Sequence, residues 1–387
     1  MPVGEIRLTI ASSLKHYTQN WIKYLTAPSE FGGLDLSRAI AVIMVIVWHA
    51  NMVEFPVGWM GVDLFFVLSG FLIFSIYKRN VEKGHFNLFN FYRDRFLRFY
   101  PTYITIVLIF ACIHFGSQPL IKIIYALFAY ATFTQTYLLI PFEGLFYPVT
   151  WTLVVEMLFY FVAPLLFLKL YPRRMPHLIL TILLVFPIIR AISIYGVIYL
   201  AGHPAVQDTF KNFHDLTQVN WQYIHLLLPH FRFDALWYGV GVGYLVLGSG
   251  ISFSARFKQM AFAAGLLMTL ALWWVVAFGL PDPHGMPSMT RLSPSQTVWL
   301  PTISVLGYAL MVFAIYKMKI ENKLIIITAR LAYPLYLVHM IVFGFDSGSG
   351  AMAGVFTVLA SLILSYFVEF PFINYYKNKQ KQAQKQA

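Results

Sequence analysis

The sequence predicts an all-α membrane protein, a polytopic bundle of about ten transmembrane helices with both termini in the cytoplasm. Three observations support this prediction. Only 11% of the 387 residues are charged and 59% are hydrophobic, whereas roughly 25% of residues are charged in an ordinary soluble domain. Apolar runs of about the ~20 residues that span a bilayer recur along the chain. The basic residues are gathered in short clusters between these runs, as the positive-inside rule requires.

Residues 1–30 predict a helix that lies on the membrane surface. Apolar residues recur there every three or four positions, and Lys15, His16, Gln19 and Lys23 stand between them. This period places the apolar side chains on one face of a helix and the polar ones on the other. We therefore expect an interfacial amphipathic helix before the first span.

Ten apolar runs follow, and each is long enough to cross the membrane once. They lie near residues 36–53, 59–77, 99–116, 148–168, 177–200, 229–248, 258–279, 298–316, 325–345 and 351–370. Residues 201–228 and 280–297 are rich in polar residues and proline and are predicted to form external loops. The Lys- and Gln-rich residues 373–387 predict a disordered basic tail.

An eleventh apolar run, residues 120–140, affects the predicted topology. With ten crossings and cytoplasmic termini, every basic cluster lies on the cytoplasmic side. A full crossing by residues 120–140 would move the cluster that includes Arg173 and Arg174 to the outside and reverse all later clusters. The positive-inside rule therefore predicts that residues 120–140 are re-entrant or interfacial.

Arg38 and His49 are the ionisable residues of the first predicted span. Ionisable groups inside a membrane are costly, so they indicate function by default. Eleven residues turn a helix by about 1100°, so the two side chains share one face, about 16 Å apart along the axis. Arg38 then lies near the cytoplasmic end and His49 toward the outer side. Neutral histidine takes protons from hydroxyls near pH 7, which makes His49 the predicted general base; the alternative is a histidine bonded to a neighbouring helix.

Two acidic residues in later spans are predicted to assist His49. Asp63 lies about five residues into the second span from outside, and it either orients the imidazole of His49, caps its helix or pairs with a cation. Glu156 enters the fourth span to roughly the depth of His49, where it orients the base or binds hydroxyls of the substrate that the base deprotonates. Trp151 precedes it and either stacks on a sugar ring or belongs to the interfacial aromatic belt.

Polar residues of the sixth and ninth spans extend this predicted site. Arg232 opens the sixth span and pairs with an acidic group or a substrate, or joins Asp234 in a structural network. His339 lies close to the outer end of the ninth span and is predicted to bind the substrate that accepts the transferred group or to support the base, rather than to act as a second base. Close helix packing is predicted at Gly61, Ser69 and Gly70.

An ordered set of motifs resembles the integral-membrane acyltransferase-3 family, which includes bacterial O-antigen and exopolysaccharide O-acetylases. The motifs are "LDLSRAIAVIMVIVWHA", "GWMGVDLFFVLSGFLI", "FYRDRFLRFYP", "YPVTWTLVVEMLFY", "FRFDALWYGVGVGYL", "LAYPLYLVHM" and "VEFP". The family's Arg-X10-His pair falls on Arg38 and His49. The chain departs from the family at Thr152 and Ala332, where serine is common, which leaves a hydroxyl role there open.

The resemblance implies an acyltransferase membrane domain over residues 31–372 in the bacterial cytoplasmic (inner) membrane. The expected reaction moves an acetyl group from acetyl-coenzyme A, a donor substrate and not a permanently bound cofactor, to a hydroxyl. The expected acceptor is a cell-surface polysaccharide, lipopolysaccharide O-antigen or a lipid-linked glycan. Donor binding is assigned to Arg38, Arg93, Arg95 and Arg98, since guanidinium groups bind phosphate through paired hydrogen bonds. Lipid phosphates are the alternative ligands of the last three.

Other classes of function are weighed against this expectation. A proton-coupled transporter or an exporter of glycans or acylated intermediates also uses intramembrane His, Asp and Glu, but it predicts paired interrupted helices in two halves, which the sequence lacks. The net charge of +12 is explained by topology and anionic lipid, so no nucleic-acid partner is expected. No metal site is expected either, because Cys112 is the single cysteine.

Overall fold

The computed structural model describes residues 3–50, 57–114, 118–138, 147–201, 229–278, 294–345 and 350–375. Within these ranges the chain forms helices and turns, and no strand. The helices are α1 Val3–Thr26, α2 Gly32–His49, α3 Gly61–Glu82, α4 Leu88–His114, α5 Leu120–Ala131, α6 Gln135–Leu138, α7 Trp151–Leu170, α8 Met175–Ala201, α9 Pro229–Gly243, α10 Ala255–Phe278, α11 Pro294–Ile315, α12 Lys323–Phe345 and α13 Gly350–Leu364. Single π-helical turns, Tyr244–Gly248 and Ser365–Glu369, extend α9 and α13.

Nine helical segments of the described residues are long and apolar enough to cross a membrane. They match nine of the ten predicted spans. The remaining predicted span, 229–248, is a helix that begins at Pro229 and continues through its π-helical turn to Gly248. The prediction of an all-α polytopic bundle is confirmed. The cytoplasmic location of the termini stays a prediction.

The apolar run 120–140 forms the short helices α5 and α6 as far as residue 138. The 12 residues of α5 extend about 18 Å, less than the ~30 Å hydrocarbon layer. Leu120 and Ile121 are each more than 70% exposed, as expected for lipid-facing side chains. The predicted loops and basic tail fall largely on residues 202–228, 279–293 and 376–387, outside the described residues.

The N-terminal helix α1 packs against the π-helical turn Ser365–Glu369 at the end of α13. The hydroxyl of Tyr17 donates a hydrogen bond to the backbone carbonyl of Tyr366 at 2.6 Å. Trp21 Nε1 donates to Ser365 Oγ at 3.3 Å, and the hydroxyl of Tyr24 donates to Glu369 Oε1 at 3.4 Å. Burial raises the pKa of Tyr24 above its ordinary value of 10.0, so this phenol keeps its proton and donates at neutral pH.

Helices α3 and α9 cross with their backbones in contact. A Cβ atom on Gly70 would lie 1.8 Å from the carbonyl oxygen of Leu236, and one on Gly239 would lie 2.0 Å from that of Val67. Only glycine allows so close an approach, as in other small-residue helix crossings. The packing role predicted for Gly70 is confirmed. This crossing fixes α9, which carries Arg232, against α3, which carries Asp63.

We expect Gly70→Ala to destabilise the protein by about 3 kcal/mol or more, because neither backbone can move aside for the added methyl group. The midpoint of thermal unfolding in detergent measures this effect. Gly354→Ala in α13 is the matched control, since a Cβ there meets nothing within 4 Å and alanine favours a helix. Equal midpoints for the two variants would contradict the backbone contact.

Candidate active site

A cavity of about 450 Å³ lies among α2, α3, α4, α7 and α12. One end of this cavity is basic. Helices α2, α4 and α12 begin near that end and α3 ends near it, and each of the four helices contributes at least one arginine to the cavity wall. The arginines that line the cavity are Arg38, Arg79, Arg95, Arg98 and Arg330, and its glutamates are Glu30, Glu156 and Glu369. Five arginines against three glutamates leave an excess of positive charge. Such a cavity suits an anionic ligand with several oxygens.

The arginines before the third predicted span do not all face this cavity. Arg95 and Arg98 are three residues apart in α4, so they lie on one helix face and both line the cavity. Arg93 precedes Arg95 by two residues, which turns its side chain about 200° away. It pairs with Asp94 at 3.2 Å and does not line the cavity. The part of Arg93 in donor binding stays a prediction that this cavity does not support.

Arg38 faces the cavity from the first turns of α2 and is held there by Asp35. Its guanidinium nitrogen lies 3.3 Å from Asp35 Oδ1, and the side chain of Asp35 is only 1% exposed. Asp35 was not among the residues predicted from the sequence, although its spacing of three residues before Arg38 is a signal for such a helix pair. Arg330 was also missed. It donates a hydrogen bond to the carbonyl of Ala27 at 3.0 Å and so ties α12 to the segment after α1.

Glu156 lies on the wall of the arginine cavity. Ser69 Oγ donates a hydrogen bond to its Oε1 at 2.6 Å, and the hydroxyl of Tyr160 donates to its Oε2 at 3.1 Å. No hydrogen bond among the described residues joins Glu156 to His49. The carboxylate is therefore part of the cavity and does not orient the imidazole. Ser69 was predicted to allow close helix packing, and its hydroxyl is the donor to this carboxylate.

His49 ends α2 and meets His339 of α12. His339 Nε2 lies 3.3 Å from His49 Nδ1, and the ring centroids are 4.8 Å apart. His49 Nδ1 is also 2.9 Å from the carbonyl oxygen of Val45, while His339 Nδ1 is 2.7 Å from that of Tyr336. His339 is fully buried and His49 is half-buried. The structure thus brings together the two histidines that the sequence placed in the first and ninth spans.

Asp63 forms an ion pair with Arg232. Pairing with a cation was one of the alternatives predicted for Asp63, and pairing with an acidic group was one of those predicted for Arg232. The guanidinium of Arg232 also lies 5.9 Å from the ring centres of Phe66 and Trp151, a cation–π arrangement. Trp151 is 8% exposed, so in this structure it packs inside the bundle and not in an interfacial belt.

A second buried ion pair joins Arg190 of α8 to Asp234 of α9. Arg190 contacts both carboxylate oxygens of Asp234 at 2.8 Å. It also donates to the carbonyl oxygens of Phe231, at 2.6 Å, and Val298, at 2.9 Å. Asp234 is therefore paired with Arg190, and Arg232 is paired with Asp63. Sequence reasoning missed Arg190, although a lone arginine in a predicted span is a signal for a buried partner.

The cavity ends one helical turn from the histidine pair. Tyr336 and Thr152 line that end, where Thr152 Oγ1 donates to the Tyr336 hydroxyl at 3.0 Å and this hydroxyl donates to the carbonyl of Val149 at 2.9 Å. The ring of Tyr336 lies 5.7 Å from that of His339. A hydroxyl is thus present and bonded at Thr152, where serine is common in the family that the motifs resemble. Tyr336 thus both lines the cavity and packs beside His339.

A family model described as an acyltransferase domain, that of the acyltransferase-3 family, matches residues 31–376. The chain belongs to the acyltransferase-3 family. It is 32% identical over 149 residues to "Putative O-acetyltransferase SACOL0978" of Staphylococcus aureus (strain COL), a match over 36% of this chain and 25% of the relative. It is 30% identical over 185 residues to "O-acetyltransferase OatA" of Staphylococcus aureus (strain NCTC 8325 / PS 47), over 43% of this chain and 30% of the relative.

The matched part of the chain thus spans less than a third of the length of each of these relatives. No solved structure matches the chain significantly. The predicted resemblance to acyltransferase-3 proteins is confirmed, and family and helices together identify a multi-pass membrane protein.

Proposed function

We propose that this protein is a membrane O-acetyltransferase that moves an acetyl group from cytoplasmic acetyl-coenzyme A to a hydroxyl of a glycan. The acceptor is a cell-surface polysaccharide, lipopolysaccharide O-antigen or a lipid-linked glycan, and the site is in the bacterial inner membrane. The family and the names of the relatives support the reaction class. The observation that carries the proposal is the arginine cavity, whose wall includes Tyr336, the neighbour of His339 in the histidine pair.

The donor binds in the cavity with its phosphate groups at the basic end. Arg95, Arg98 and Arg330 present guanidinium groups there, and such groups bind phosphate oxygens through paired, charge-assisted hydrogen bonds. The arm that carries the acetyl thioester then extends along the cavity toward Tyr336. Arg38 and Glu156 lie along this path.

The chemical step takes place at His49. Its neutral imidazole accepts the proton of the acceptor hydroxyl as the hydroxyl oxygen attacks the thioester carbonyl carbon. The carbon–sulfur bond breaks, and the leaving thiolate of coenzyme A takes the proton back from the imidazole. The products are the acetyl ester and free coenzyme A, and His49 returns to its neutral form. An acyl-histidine intermediate is the less favoured variant.

Acetyl transfer from radiolabelled acetyl-coenzyme A, in membranes that contain native acceptor, tests the proposal. We expect label in one glycan or lipid fraction with the wild type, and a KM for acetyl-coenzyme A raised about tenfold or more in Arg98→Gln, because a charge-assisted contact is lost. Arg173→Gln is the control, since Arg173 is exposed and outside the cavity. A folded wild type that labels no fraction would favour the transporter or exporter.

A further inference from the structure

The hydrogen bonds around the histidine pair determine which ring nitrogen of each histidine carries its proton. Nδ1 of His49 faces the carbonyl oxygen of Val45 at 2.9 Å, and Nδ1 of His339 faces that of Tyr336 at 2.7 Å. A carbonyl oxygen only accepts, so an unprotonated Nδ1 at either distance would set two lone pairs against each other. Both neutral rings therefore carry the proton on Nδ1, as the network requires.

This assignment gives each Nε2 atom a role. His339 Nε2 has a lone pair and lies 3.3 Å from the protonated Nδ1 of His49. The Nδ1 hydrogen of His49 therefore forms a bifurcated hydrogen bond to the Val45 carbonyl and to His339 Nε2. His49 Nε2 also has a lone pair, and no hydrogen bond to it is formed among the described residues. A half-buried imidazole with a free lone pair is suited to accept a proton from a hydroxyl.

The carboxylate that the sequence offered for orienting His49 is engaged elsewhere. Asp63 is fully buried and its Oδ1 contacts Arg232, while its Oδ2 has no hydrogen-bond partner in the described part of the chain. Catalytic histidines depend on an acceptor behind Nδ1 that holds the tautomer and stabilises the imidazolium. In this structure the side chain behind Nδ1 of His49 is the imidazole of His339.

We infer that His339 is the positioning residue of the base: its Nε2 accepts from His49 Nδ1 and thereby keeps His49 Nε2 free for the acceptor hydroxyl. The inference rests on the proposed function. When His49 takes the hydroxyl proton, the hydrogen on Nδ1 is drawn further toward His339 and the Val45 carbonyl, which together stabilise the positive charge. His339 itself exchanges no proton with substrate, and its own Nδ1 hydrogen stays bound to Tyr336.

Three substitutions separate this role from mere packing. His339→Gln places an amide oxygen near the position of Nε2, whereas His339→Asn resembles only the Nδ1 half of the ring and His339→Ala has neither. We expect Ala and Asn to lower kcat about 100-fold or more with KM for acetyl-coenzyme A unchanged, and Gln to recover most of the loss. His177→Ala is the control, since His177 is exposed at the start of α8.

The result that overturns the inference is wild-type kcat in all three variants, a rise in KM alone, or a Gln variant as slow as Ala at equal thermal stability. Failure of the wild type to transfer acetyl would instead overturn the proposed function.

A spectroscopic measurement on the protein with His339 in place does not depend on the folding of a His339 variant. Nitrogen-15 spectra of histidine-labelled wild type, assigned with His49→Ala, should show neutral His49 protonated at Nδ1; protonation at Nε2 overturns the inference.

Discussion

His49→Ala should lower kcat for acetyl transfer to the glycan about 10²- to 10⁴-fold, the usual contribution of a general base. The imidazole lies at the end of α2, beyond the end of the arginine cavity, and its Nε2 is free in the described structure. Because the arginines that we propose as donor ligands are unchanged, the variant should still bind acetyl-coenzyme A. Labelled transfer in membranes measures the first effect, and donor binding to purified protein measures the second.

The control for this prediction is His177→Ala, which removes an exposed imidazole and should transfer acetyl at the wild-type rate. If folded His49→Ala and the wild type label the glycan equally, His49 has no part in the chemistry. If His49→Ala also loses donor binding, the separation between the cavity and the base is wrong. The first result would require a different assignment of the general base.

Asp63→Asn should destabilise the protein by about 3–5 kcal/mol, because it leaves the buried guanidinium of Arg232 without its counter-charge. Both side chains are almost fully buried, Asp63 at 0% and Arg232 at 3% exposure. The pair also joins α3 to α9 beside the glycine crossing, so its loss weakens a central contact of the bundle. The thermal unfolding midpoint in detergent is the measurement.

Two comparisons make the test of the Asp63–Arg232 pair specific. Glu82→Gln removes a pair with Lys78 on the surface, where Glu82 is 59% exposed, and should cost at most about 1 kcal/mol. The double change Asp63→Leu with Arg232→Leu should be more stable than Asp63→Asn alone, because no unpaired charge remains. A stable but inactive Asp63→Asn variant would instead return Asp63 to the catalytic role that the sequence offered.

Several parts of the candidate site could be read from the sequence because they depend on one helix only. The period of 3.6 residues set Arg38 and His49 on one face of α2. The same period shows why Arg95 and Arg98 face the cavity together while Arg93 does not. Arg93 was assigned together with Arg95 and Arg98 because the three form one basic cluster in the sequence, and the helix period separates its direction from theirs.

The depth of a residue in the membrane could also be counted along each span, but the residue that it contacts on another helix could not be predicted. Glu156 was counted to roughly the depth of His49, yet it bonds Ser69 and Tyr160 in the cavity wall. Asp63 could be counted to the outer half of its span, yet its partner Arg232 is 169 residues away in the chain. Rotation of one helix about its axis relative to the next decides such pairs, and no local pattern encodes it.

By itself the sequence determined the membrane class, the spans, the family motifs and the spacing of ionisable residues within each helix, because hydropathy and helix period are local properties. The tertiary structure alone decided that His339 meets His49, that Arg232 neutralises Asp63 and that Arg330 joins the cavity. These contacts follow from which helices touch and at what rotation. Small residues such as Gly70 and Gly239 set that rotation by letting two backbones meet.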